Sequence, residues 1–259
     1  MSEALVTASL CLFAFLAGFV DAVVGGGGLV QLPALFLLLP PESAAQTAVV
    51  LGTNKLSSLC GTSMAVVQYA RRVPLNWRAL LPAALVAFAC SFLGARAVSL
   101  LAPAVLRPLI LALLVGVAIY TFIRKDFGHR HAPRFTAERE RLVGAGVGAV
   151  IGFYDGFFGP GTGSFLMFAF IGLFGFDFLT ASASAKVVNF ATNLSAVAYF
   201  AATDNLLYWP GVPMAACNVA GALLGARLAI LKGNRFVRGF FLIVSGAMIL
   251  RFGWEVLGR

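Results

Sequence analysis

The chain has 259 residues, 60% of them apolar and only 11% charged, and its mean hydropathy is +0.93. Soluble domains run at roughly 45–50% apolar and about 25% charged, so the composition argues against a cytosolic enzyme, a disordered chain or a DNA-binding domain and for an integral membrane protein. The formal charge of +9 would point to nucleic acid in a soluble protein. In a bilayer, basic residues first report orientation, so the expected partner is lipid and no nucleic acid.

A membrane-crossing helix needs about 20 mostly apolar residues. Punctuation at Gly, Pro and charge clusters divides the chain into ten apolar elements at 4–24, 29–39, 44–70, 76–97, 104–123, 141–158, 163–176, 179–203, 208–229 and 235–256. The second and seventh are too short to span and read as re-entrant or interfacial segments, each following a glycine-rich break. The third is long enough to tilt, or to break at Gly52 or Gly61. The start, Met-Ser-Glu-Ala-Leu, lacks the basic residues of a secretory signal, so the first element is expected to be retained. Cys11, Cys60, Cys90 and Cys217 lie in apolar stretches without CxxC spacing and read as small core residues.

The chain repeats itself. Gly18-Phe19-Val20-Asp21 with Gly25 and Gly27 matches Gly152-Phe153-Tyr154-Asp155 with Gly159 and Gly161, a shift of 134 residues. Leu93-Gly94-Ala95-Arg96 recurs as Leu224-Gly225-Ala226-Arg227, and Lys55 as Lys186, a shift of 131. The expected organisation is a first transmembrane repeat over 1–123, a basic cytoplasmic linker over 124–140 and a second repeat over 141–259, each repeat with five elements. Arg71, Arg72 and Arg78, the linker residues from Arg124 to Arg141, and Lys232, Arg235 and Arg238 mark three loops as cytoplasmic. They share a side if elements one and two enter and leave as a pair. Each half then crosses an odd number of times, both termini lie outside, and the repeats are inverted, as in secondary transporters.

Four ionisable residues remain in apolar surroundings: Asp21, Lys55, Asp155 and Lys186. Each would cost about 2.5–3.5 kcal/mol unpaired at a helix centre, so they face partners, water or substrate. Two internal salt bridges pinning the halves together are one reading; a central polar site is the other, and the duplication favours it. Gly25-Gly26-Gly27-Gly28 and Gly159-Pro160-Gly161-Thr162-Gly163-Ser164 let backbone approach a ligand and expose N–H groups. Each feeds a short helix whose N-terminus attracts anions, so the pair can form an anion cradle to which Lys55 and Lys186 add full positive charge. Asn54 and Ser58 beside Lys55, with Thr62 one turn on, and Ser182, Asn189 and Asn193 on the face of Lys186 extend the polar surface. Asp21 and Asp155 are the charge-balancing residues, or carry a coupled proton or cation. His129 and His131 sit in the basic linker and read as solvated, so no metal is expected, and no motif calls for a cofactor.

The stretch from Gly18 through Gly28, Thr53-Asn54-Lys55, the stretch from Gly152 through Pro160, and Ala185-Lys186-Val187-Val188-Asn189 with Thr192-Asn193 resemble the TauE/SafE family, also called the sulfite exporter or TSUP family. The resemblance covers nearly the whole chain and implies a multi-spanning permease of the bacterial inner membrane for small anions, typically sulfite, sulfonates or related organic anions. One departure is that Gly28-Leu29 stands where Thr162-Gly163-Ser164 follows in the second half. Two alternatives remain from the residues: an intramembrane aspartyl protease using Asp21 and Asp155, whose expected Gly-x-Gly-Asp sequence is missing and which gives the lysines no role, and an anion channel with the same site. No Walker motif supports direct ATP drive. Substrate, direction, coupling ion and homo-oligomer formation stay open.

Overall fold

The computed structural model describes residues 3–100 and 135–257. All regular structure among them is α-helical: α1 (Glu3–Val24), α2 (Gly28–Leu38), the single turn α3 (Pro41–Ala44), α4 (Thr47–Ala70), α5 (Trp77–Leu100), α6 (Ala137–Phe157), α7 (Thr162–Gly172), α8 (Phe178–Ala202) and α9 (Tyr208–Leu257). Helices satisfy their own backbone, which is what hydrocarbon demands. The expected element at 104–123 and residues 124–134 of the linker lie outside the described residues. Among the described residues, three helical stretches are long and apolar enough to cross a membrane: Glu3–Val24, Leu80–Val98 and Tyr208–Val244. Helices α4 and α8, with 24 and 25 residues, match them in length but carry the polar stripes around the two lysines. Helices α2 and α7 have 11 residues each. At 1.5 Å per residue that is about 16 Å, half of the roughly 30 Å hydrocarbon core.

The third element, expected to tilt or to break at Gly52 or Gly61, does not break at either. Helix α4 runs unbroken through Gly52 and Gly61, and both glycines serve packing: a methyl at Gly52 would overlap the Asn205 carbonyl, and one at Gly61 would overlap the Asn218 side chain. Elements nine and ten are two helices joined at a kink: the stretch labelled α9 is interrupted at Gly233 (φ 66°, ψ −161°), between the expected elements 208–229 and 235–256. The expected loop is compressed to one residue in a conformation that glycine alone adopts readily.

Helix α1 packs along α9, and α5 along α6. Small residues let these backbones approach, because packing rather than water exclusion holds helices together in lipid. On α6, methyls at Gly148 and Gly156 would overlap the Ala83 and Ser91 carbonyls, and one at Gly152 would stand 2.6 Å from the Ala87 carbonyl oxygen; Gly146 has nothing within 4 Å. Gly152→Ala is therefore expected to destabilise by about 1–3 kcal/mol. Gly146→Ala is expected to be neutral or to stabilise by up to about 1 kcal/mol. Thermal unfolding in detergent reads both, and equal effects would contradict this packing.

Among the described residues, the basic stretches Arg71–Arg78, Arg139–Arg141 and Lys232–Arg238 gather at one end. Asn76, between α4 and α5, donates to Glu140 at the start of α6 (2.8 Å), and the Leu179 N–H at the start of α8 donates to Asn234 beside the Gly233 break (3.3 Å). An apolar cluster fills this end, with Tyr69, Val73, Phe170, Phe174, Phe176, Phe178 and Val237. A second cluster, with Leu10, Leu35, Val50, Leu51, Phe158 and Phe200, fills the other end. On α4 the polar residues from Thr53 to Thr62 lie between the portions that enter the two clusters; on α8 Asn189, Thr192 and Asn193 do so, while Ser182, Ser184 and Lys186 interleave with residues of the first cluster.

Candidate functional site

The two charged pairs cross between the halves. Lys55 of α4 meets Asp155 of α6 at 2.7 Å, and Lys186 of α8 meets Asp21 of α1 at 3.1 Å. Pairing removes most of the cost of four isolated charges in hydrocarbon. The pairs are not equivalent. Lys55 and Asp155 are both buried and Lys186 is fully buried, whereas the Asp21 side chain keeps 18% of its surface accessible.

The two glycine loops meet backbone to backbone. Gly25 (φ 77°) lies so close to Gly163 that a methyl on either would collide with the other, and Gly28 abuts Pro160. A narrow pocket lies against this crossing. Helix α1 contributes Asp21 and α6 contributes Asp155; the loops give Gly26 and Gly28, and Gly159, Gly161, Thr162 and Gly163; α4 gives Asn54, Lys55 and Ser58, and α8 gives Asn189 and Asn193. The N–H groups of Gly26, Gly28, Gly161 and Gly163 donate to no acceptor among the described residues. Four open donors from two helix N-termini thus border one pocket, beside an ammonium. That arrangement favours an anion.

The remaining candidate residues stand behind the wall. Lys186 does not line the pocket; its Nζ sits behind Gly163, 3.1 Å from where a Cβ there would stand. The Gly27 N–H faces Asp21 Oδ1 at 3.5 Å. Ser164 Oγ donates to the Val24 carbonyl at 3.0 Å. Ser182 Oγ donates to the Val23 carbonyl (2.9 Å) and Tyr69 OH to that of Ala22 (2.8 Å). Hydroxyls from α4, α7 and α8 therefore satisfy the last carbonyls of α1, which a helix leaves unpaired. That fixes the entry to the first loop and with it Asp21.

Side-chain amides complete the site. Lys55 Nζ donates to Asn193 Oδ1 (3.1 Å), and Asn193 Nδ2 reaches Asn189 Oδ1 (3.4 Å) and Thr62 Oγ1 (3.5 Å), so the polar stripes of α4 and α8 face each other. Apart from the ion-pair contact with Lys55, Asp155 Oδ2 has no partner among the described residues, and neither does the buried Asn54 Oδ1. Sequence reasoning missed Gln31, which is fully buried on α2. Its Oε1 accepts from Ser57 (3.3 Å) and Asn218 (3.0 Å), and its Nε2 donates to the Asn54 carbonyl (3.4 Å). These bonds seat α2 against α4, so that Gly28 faces the pocket. A lone carboxamide in an otherwise apolar 11-residue helix was the available signal.

Membrane-length helices around a buried, charged pocket define a multi-pass membrane protein with an internal polar site. Residues 10–252 match the family model described as sulfite exporter TauE/SafE. The chain belongs to this family of membrane transporters. It is similar to a probable membrane transporter protein, ORF9, of a Sinorhizobium species (37% identity over 94% of this chain and 91% of the relative). It is also similar to a probable membrane transporter protein of Haemophilus influenzae (34%, over 93% and 92%) and to the probable membrane transporter protein YfcA of Escherichia coli K12 (32%, over 100% and 94%). No solved structure matches the chain.

Proposed function

We propose that the protein is a secondary permease, not an enzyme, that carries small anions by alternating access around the pocket between its two glycine loops. Sulfur oxyanions such as sulfite and the sulfonates are the first candidates, in keeping with the family's description. The observation that carries this reading is the set of open N–H groups on Gly26, Gly28, Gly161 and Gly163 beside Lys55. In a partly buried site, such preoriented donors hold an anion more strongly than they could in open solvent.

Helix packing supports two inverted repeats. The register of 134 relates α1 to α6 and α2 to α7, that of 131 relates α4 to α8 and α5 to α9, and the close pairs α1 with α9 and α6 with α5 are the ones a two-fold relation would exchange. The gathering of basic segments at one end supports a cytoplasmic linker, external termini and residence in the bacterial inner membrane. An anion that takes Lys55 deprives Asp155 of its countercharge. A coupled proton or cation would restore neutrality there, with Asp21, the more accessible carboxylate, as the second acceptor. The protease reading loses ground because each aspartate faces a lysine rather than sharing a proton with the other.

Reconstituted into vesicles, the protein is expected to take up labelled sulfite with saturation and to be stimulated by unlabelled sulfite inside. Linear uptake without such stimulation would replace the carrier by a channel. No uptake, and no binding of sulfite, sulfonates, carboxylates or chloride by the folded protein, would refute the anion reading.

A further inference from the structure

Three carboxamides line the pocket, Asn54, Asn189 and Asn193, and two of them are already engaged. Asn193 Oδ1 accepts from Lys55 Nζ at 3.1 Å, and Asn189 Oδ1 accepts from Asn193 Nδ2 at 3.4 Å. Asn54 differs. It is only 4% exposed, yet among the described residues its Oδ1 has no hydrogen-bond partner and its Nδ2 donates to no acceptor. Nδ2 stands 3.9 Å from where a Cβ on Gly28 would be, so the amide end lies at the wall, beside an open backbone N–H. A buried acceptor without a donor is costly, and a ligand that supplies the donor removes that cost. The register of 131 puts Ala185 at the matching position, so the second half-site has no such group.

A carboxamide offers a donor and an acceptor side by side. Its complement is an acid group, in which one oxygen accepts from Nδ2 while the neighbouring O–H donates to Oδ1. Lys55 and the open N–H groups would serve any anion; the free Oδ1 calls for one that still carries a proton. The carboxylates of the wall are taken, since Asp155 faces Lys55 and Asp21 faces Lys186. Charge points the same way. Two aspartates and two lysines cancel, so the charge of the anion is added to a neutral set, and a dianion is penalised more than a monoanion in a partly buried site. Resting on the anion-site reading above, we propose that the pocket takes its oxyanion in the singly charged, O–H-bearing form, hydrogen sulfite rather than sulfite, and that the Asn54 carboxamide recognises the O–H. Anions without such a donor, chloride and the simple alkylsulfonates, bind more weakly.

The test is a binding titration of the purified full-length protein with sulfite and with methanesulfinate, on either side of the ionisation of hydrogen sulfite near neutrality. Methanesulfinate has a methyl group in place of the O–H of hydrogen sulfite and keeps the single charge. Titration of Asp21, Asp155, Lys55 or Lys186 would change the binding of both anions, whereas loss of the ligand's own proton affects sulfite alone. On the acid side the wild type is expected to prefer sulfite by about 100-fold or more, because a site built to bond a substrate O–H rejects the analogue that lacks it. On the alkaline side that ratio is expected to fall by about tenfold per pH unit as hydrogen sulfite is depleted. Asn54→Leu, close to asparagine in volume, is expected to lower the acid-side ratio by about tenfold, the scale of one hydrogen bond; if it does not fold, Asn54→Ala must do the same. Equal binding of both anions by the wild type, a ratio that does not fall with rising pH, or a ratio unchanged by the substitution would overturn the proposal. Binding of neither anion by the folded wild type is a distinct outcome, which overturns the anion-site reading itself and this inference with it.

Discussion

Lys55→Ala is expected to destabilise the folded protein by about 3–5 kcal/mol, because it strands the Asp155 carboxylate in a buried site. The loss is specific to this pair: Asp155 is only 1% exposed, and its Oδ2 has no further partner among the described residues. Lys186→Ala is expected to cost less, since the aspartate it leaves behind, Asp21, lines the pocket and keeps 18% of its side-chain surface accessible. The double variant Lys55→Ala/Asp155→Ala removes both charges together and is expected to recover most of the stability, as replaced buried pairs commonly do. Thermal unfolding of the four proteins in detergent measures this. A double variant as unstable as the single one would mean that Lys55 stabilises the fold through contacts other than its ion pair.

The second large effect is expected at the crossing of the loops. Gly25 has φ 77°, and a methyl there would land on the backbone of Gly163 and Ser164. A left-handed conformation in a non-glycine residue costs about 1–3 kcal/mol, and backbone overlap adds an overpacking penalty of similar size. Gly25→Ala is therefore expected to lower stability by about 2–6 kcal/mol and to separate the two helix N-termini. Gly26→Ala is the matched control: its φ is 95°, but the nearest atom to a new methyl is Leu29 Cδ1 at 3.4 Å, a side-chain end that can yield. It should show the conformational penalty alone. Equal unfolding temperatures for the two variants would contradict the direct contact of the loops.

Much of the pocket was legible in the sequence. Duplicated Gly-Phe-x-Asp motifs and duplicated lysines can be read at a fixed shift, and charged residues in an apolar chain declare themselves by their cost. All thirteen residues that line the pocket belong to that set of candidates. Partnership was not legible. That Lys55 takes Asp155 and Lys186 takes Asp21 follows from how the halves interlock, and no spacing along the chain encodes it. Nor was the withdrawal of Lys186 behind Gly163, which depends on a backbone contact between residues 138 positions apart in sequence. The role of Gln31 was hidden for the same reason, since its partners Ser57 and Asn218 come from distant helices. Helix ends marked by glycine were legible in the loops, whereas inside α4 the sequence left tilt or a break at Gly52 or Gly61 open, because glycine serves close packing in a membrane helix as readily as it breaks one.

The most direct measurement of the central claim is calorimetric titration of sulfite into the wild type and into Lys55→Ala/Asp155→Ala, each first shown to be folded and monodisperse. If the pocket between the glycine loops holds an anion against Lys55, the wild type binds sulfite and the neutral double variant does not. Equal affinity in the two proteins would mean that the Lys55–Asp155 pair serves only to join the halves and that any anion is held elsewhere.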